Sequence, residues 1–188
     1  MFELGNNPFQ NLPKPDPYSE NIHTRRYNLA ANKFNSALFK GQFTRLLKKT
    51  FRKRLWLYDL NSLIPSLGSY YSGMRVVEIN RIVGSEGRSS DFDLDFFPIH
   101  EKSRERWIGL AVAYLSNLPL PPVALIEVRD FYFVRDGHHR ISVSRSFGQF
   151  AIDAEVVTWN IQYAFKLEDT LITLDARALK EFSLFARS

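Results

Sequence analysis

The chain has 188 residues, 45 % apolar and 14 % aromatic, so it can bury a core and does not have a disordered composition. It contains no cysteine, which excludes disulfides, thiolate zinc sites and every cysteine-nucleophile mechanism, and no apolar run approaches the roughly 18–20 residues of a membrane span. The net charge of +5 is uneven: residues 1–72 carry eleven Lys/Arg against four Asp/Glu, residues 73–160 ten against twelve, and residues 161–188 four of each.

The basic excess therefore lies in the N-terminal part, where any contact with a polyanion made by charge alone is expected. Residues 1–28 are predicted to be an extended lead-in, because Pro8, Pro13, Pro15 and Pro17 stand among Asn, Asp and Ser. The opening residues lack the charged start and apolar centre of a secretory signal, and together with the missing cysteines this predicts a cytoplasmic protein. From Leu29 to Tyr58 the spacing predicts helix, with Leu47, Phe51, Leu55 and Tyr58 on one face. Arg45, Lys48, Lys49, Arg52 and Lys53 fall mainly on another face, and Gly41 is expected to divide the stretch in two. This helix reads either as a nucleic-acid or membrane-surface element or as a solvated basic face on a helix docked to the core.

Residues 59–73 read as a linker, broken by Pro65, Gly68 and Gly73. Val76 to Val83 is rich in β-branched residues and predicts a strand that ends at Gly84. Gly84-Ser-Glu-Gly-Arg-Ser-Ser90 is a loop whose Ser85, Glu86, Arg88 and Ser89 could meet a ligand, and Asp91, Asp93 and Asp95 follow in irregular chain. Those three acids alternate as in a calcium loop but lack its glycine and terminal glutamate. Helical spacing returns over 101–117, with Trp107, Ala111, Tyr114 and Leu118 on one side, before Pro119, Pro121 and Pro122 end it. Trp107 is expected in the core. Strands are predicted over 123–128, 131–134 and 151–159, a helix over 138–147, and short amphipathic helices over 161–188. The whole is an α+β chain: a mixed sheet with helices over 73–160, a basic helical extension and linker over 29–72, and a helical tail over 161–188.

The densest chemistry sits in Asp136-Gly-His-His-Arg140 at the strand-to-helix junction. Backbone N–H groups at a helix start lack intrahelical partners and face the positive end of the dipole, so they attract anions. Gly137 permits close backbone approach, and Arg140 is a fork-shaped cation suited to phosphate. Asp136 is placed to cap the helix, or to hold a histidine or a magnesium ion. His138 and His139 point about 100° apart on a helix, which makes shared chelation awkward and leaves proton transfer or phosphate contact as the better roles.

With Gly137-His-His-Arg140, Gly148 and Ile152-Asp-Ala-Glu-Val156 in hand, segment 75–159 resembles the ParB/sulfiredoxin superfamily, whose mark is a strand leading into Gly-x-x-Arg at a helix start. The Asp136-Gly-His-His-Arg140 form resembles ParB-like free-serine kinases and other bacterial ParB-like proteins. Leu120-Pro-Pro-Val123 before the central hairpin and the acidic loop at Glu86 also fit the resemblance. Sulfiredoxin chemistry is excluded, because its cysteine position is His138. A partition-type DNA reader and dimerisation domain are not expected in the 28 residues of 161–188. The resemblance implies a nucleoside di- or triphosphate with Mg2+, held by Ser85, Arg88, Asp136, Gly137, His138, His139 and Arg140. For the kinase branch it implies a small hydroxyl-bearing acceptor, with Glu86 as base and His138 or His139 assisting, and hence an ATP/ADP- or CTP-dependent phosphotransferase or hydrolase. The other branch is a non-catalytic, nucleotide-gated adaptor or DNA-associated protein that touches nucleic acid through Arg45, Lys48, Lys49, Arg52 and Lys53.

Overall fold

A computed structural model describes residues 17–50, 57–63, 68–87 and 90–159. The predicted positions Arg88, Ser89, Phe51, Arg52, Lys53 and Leu55, the first part of the lead-in and the helices of the tail lie outside the described residues. The fold is α+β, as its alternating patterns imply. In chain order the elements are α1 (Pro17–Thr50), β1 (Tyr58–Asp59), α2 (Leu60–Leu63), β2 (Ser69–Glu78), β3 (Ile82–Ser85), α3 (Arg104–Leu115), β4 (Val123–Val128), β5 (Phe131–Asp136), α4 (His138–Ser146) and β6 (Ala151–Trp159).

The six strands form one sheet in the order β1-β3-β5-β4-β6-β2. Strands β1, β3 and β5 run parallel, β5 and β4 form an antiparallel hairpin, β4 and β6 are parallel, and β6 pairs antiparallel with β2. The alternation of β4 places Val123 and Leu125 on one face with Ile141 of α4, Val77, Phe92 and Val156. Ile126 and Val128 fall on the other face with Leu60, Phe133 and Trp159. Helix α1 packs on α3 and α3 on α4, through Ala30, Phe34, Ala37, Leu38, Trp107, Ile108 and Val143. Trp107 is in the core as expected, with its indole N–H donating to Ser142 Oγ at 2.9 Å and its ring edge against Phe34.

Several predicted boundaries are corrected. Helix α1 begins at Pro17, inside the expected lead-in; a proline is tolerated in the first helical turn because its missing N–H has no partner there anyway. Gly41 does not divide the helix. A Cβ there would collide with the Pro98 carbonyl oxygen at 2.5 Å, so the glycine allows the unbroken helix to approach the 97–99 loop. Tyr58 is in β1 and not on the helix, and the expected linker contains the end of β1, α2 and the start of β2. The predicted strand 76–83 is two strands: a 3-10 turn at Ile79–Arg81 sends β2 to one side of the sheet and β3 towards the other. Both halves look apolar in sequence because Val77, Ile79 and Ile82 all enter the core.

One polar cluster pins four strands. Glu127 Oε1 accepts from Arg75 Nη1 at 2.9 Å and from the Tyr132 hydroxyl at 3.1 Å, while Oε2 accepts from Thr158 Oγ1 at 2.7 Å. Burial pushes the Glu127 carboxyl up, but the Thr158 and Tyr132 hydrogen bonds and the Arg75 charge outweigh it and hold the group below the ordinary glutamate value.

Candidate functional site

The C-terminal ends of the parallel strands β3 and β5 lie side by side, with Ser85 paired to Val134, and the chain leaves β5 through Asp136 and Gly137 into α4. Outside the carboxyl ends of parallel strands is where open α/β sheets usually hold ligands. Gly137 has φ 103°, the left-handed region open to glycine, and a Cβ there would run into Val123. Lacking a side chain, Gly137 leaves the start of α4 without a side-chain cap. Asp136 does not cap the helix as expected. Its carboxylate pairs with Arg140 one turn along.

The run from Asp136 to Arg140 divides over two flanks of this helix start. On one flank His138 is buried, and its Nε2 lies 2.7 Å from Ser85 Oγ. Ser85 Oγ also accepts the Gly87 N–H at 3.2 Å. The Phe92 ring stacks on His138 at 5.9 Å between centroids and meets His139 edge-on at 5.2 Å. Beside them Glu86 receives two hydrogen bonds from Arg135, at 2.8 and 3.3 Å, and its carbonyl accepts from Asn61 Nδ2. The Glu86 N–H donates to Val134 O at 2.9 Å, which extends the β3–β5 ladder and fixes the loop root.

On the other flank Arg140 is a clamp. Its Nη1 donates to the carbonyls of Pro121, at 2.7 Å, and Pro122, and its Nη2 donates to Asp136. Only 12 % of this side chain is exposed, against 63 % for Asp136. The guanidinium also crosses Gly137, whose added Cβ would stand 3.3 Å from Arg140 Cζ. Beyond it, Pro121, Arg140, Ser144 and Ile152 help line a cleft of about 380 Å3 between the end of α3, α4 and the β6–β2 margin.

Ser85, Glu86, His138 and His139 are thus brought together as the sequence suggested, while Asp136 and Arg140 face a different neighbourhood and satisfy each other. Phe92, Arg135 and Asn61 are participants that sequence reading missed. Arg135 was detectable as a cation at the strand end adjoining the motif; nothing in the pattern marks Phe92 as the ring that holds both histidines. Asp91, Asp93 and Asp95 serve structure: Asp91 pairs with Lys102, Asp95 with Arg145, and buried Asp93 accepts the N–H groups of Asp95 and Phe97. Among the described residues no group of three or more His, Asp or Glu could hold a metal ion. No helix among them is long and apolar enough to cross a membrane. Comparison of the chain with family models, curated proteins and solved structures finds no match.

Proposed function

We propose that the chain binds a nucleoside di- or triphosphate, with a phosphate group on the N-terminus of α4. The observation that carries this reading is the helix start itself. It is reached through a left-handed glycine, has no side-chain cap, and stands beside a buried Ser85–His138 hydrogen bond at the ends of parallel strands. Backbone N–H donors and the dipole supply the anion site, and His138 and His139 supply neutral or charged donors. Arg140 acts first as a positioning residue. By tying Pro121 and Pro122 to Asp136 across Gly137, it fixes the direction in which the helix start points. A Mg2+ ion accompanying the nucleotide would take its ligands mainly from phosphate and water.

Turnover, if the ligand is a phosphoryl donor, falls to Glu86 as the base for a hydroxyl-bearing acceptor. Its carboxylate is already held by two hydrogen bonds from Arg135, one to each oxygen. That ion pair favours the second reading, a nucleotide-gated adaptor that binds without turnover. Calorimetric titration with ATP, ADP, CTP and GTP, each with and without Mg2+, tests the binding claim. Saturable heat with at least one nucleotide is expected, and its absence with all four would overturn the reading. Glu86→Gln then separates the branches: loss of turnover with binding kept supports catalysis, whereas a chain with no turnover to lose is the adaptor.

A further inference from the structure

Helix α1 carries two apolar faces. At about 100° per residue, Ala30, Phe34, Ala37, Leu38 and Gly41 form one face. Of these, the four apolar side chains are buried against α3 and α4, and Gly41 meets the 97–99 loop. Phe39, Phe43, Leu46 and Leu47 lie on roughly the opposite side. They are 68, 49, 64 and 42 % exposed, and the Phe39 and Phe43 rings stack at 6.0 Å. An exposed stripe of large apolar side chains over two turns is not what solvation alone would leave on a helix.

The charge of the same helix is one-sided. Residues 21–50 include Arg25, Arg26, Lys33, Lys40, Arg45, Lys48 and Lys49 and no Asp or Glu. Arg26 donates to Ser116 Oγ at 3.2 Å and Lys33 stands over the Phe147 ring on the core side, whereas Arg25, Lys40 and Arg45 are exposed. Exposed Phe and Leu side chains beside exposed cations suit an element that lies in the interface of a bilayer, its rings among the acyl chains and its cations at headgroup level. Nucleic acid rewards cations and stacking rings but gives nothing to Leu46, the second most exposed of the four. A second copy would bring one basic helix against another.

We infer that the outward face of α1 docks on an anionic lipid surface, with Phe39, Phe43 and Leu46 inserted and the exposed Arg25, Lys40 and Arg45 at the phosphate level. The inference is independent of nucleotide binding at α4. Vesicle flotation of the full chain tests it, using phosphatidylcholine alone and phosphatidylcholine with about one-third phosphatidylglycerol. Binding to the anionic vesicles should be at least about tenfold tighter than to neutral ones and weaken with added salt. The double variant Phe39→Ser/Leu46→Ser should lose about tenfold or more while its circular dichroism and melting stay unchanged, because both side chains are already exposed. Phe43→Trp provides a second readout, with emission that shifts to the blue on anionic vesicles only. No vesicle binding overturns the inference. So does equal binding by the double variant, duplex DNA binding that the double variant leaves intact, or a lipid-free dimer that the double variant dissolves.

Discussion

Five consecutive residues, Asp136 to Arg140, serve two neighbourhoods that differ in kind. The Ser85–His138–Phe92 flank keeps hydrogen-bonding and ring groups together at the ends of parallel strands, next to a helix start that no side chain caps. The Arg140 flank is closed on itself: guanidinium, two proline carbonyls and Asp136 satisfy one another. A single turn of helix, rotating about 100° per residue, is enough to separate them. Charged residues that look like one cradle in sequence can therefore divide between a part that joins Ser85 and Phe92 and a part that closes on itself.

Substitutions at the junction sharpen this contrast. Gly137→Val affects both flanks, since it demands a strained φ and inserts a side chain into Val123; a loss of roughly 3 kcal/mol or more in urea unfolding is expected. Arg140→Lys keeps the charge but cannot span three acceptors, and should cost about 2 kcal/mol. If Arg140 is a clamp, its nucleotide affinity should fall no further than the stability loss explains; a Lys variant of normal stability that loses nucleotide would make Arg140 a direct ligand. Ser85→Ala leaves the buried His138 without its hydroxyl partner, with an expected loss of about 1.5 kcal/mol in stability and about tenfold in nucleotide affinity. A Ser85→Ala chain that loses stability alone would reduce that flank to packing.

The next test stands outside both flanks and serves as their control. Glu127 is held below its ordinary value in the fold, so the stability it contributes is present above the unfolded-state pKa and is lost as pH falls through the folded one. Acid titration of stability should therefore show a loss of roughly 1 kcal/mol below the ordinary glutamate range, absent in Glu127→Gln, with no change in nucleotide affinity at neutral pH. Smallest of all, Glu86→Gln weakens a partly exposed pair with Arg135 and should change stability by under about 0.5 kcal/mol. A larger loss would place Glu86 in the scaffold.

Much of the fold could be read in the sequence, because β4, β5, α4 and β6 are short, strongly patterned and punctuated by Asn117–Pro122, Arg129-Asp130, Gly137 and Gly148. The run from Val76 to Val83 misled because the 3-10 turn buries Ile79 between Val77 and Ile82, so that apolar core residues continue through the turn as they would along one strand. Gly41 misled for the opposite reason: a glycine that looks like a breaker is required by a close contact 57 residues away at Pro98. Proximity of Ser85, Glu86 and His138 followed from their common place at strand ends. The orientation of Arg140 did not, since it depends on carbonyls of Pro121 and Pro122 that no residue-type pattern reports.

The most direct measurement is an amide-resolved NMR titration of the full chain with the nucleotide that calorimetry selects. Phosphate binding at the helix start predicts that the backbone N–H signals of His138, His139 and Arg140 shift together and saturate, with Ser85 and Glu86 following. Shifts confined to residues lining the cleft beyond Arg140, such as Tyr114, Leu118 and Ile152, with the α4 start unmoved, would contradict it.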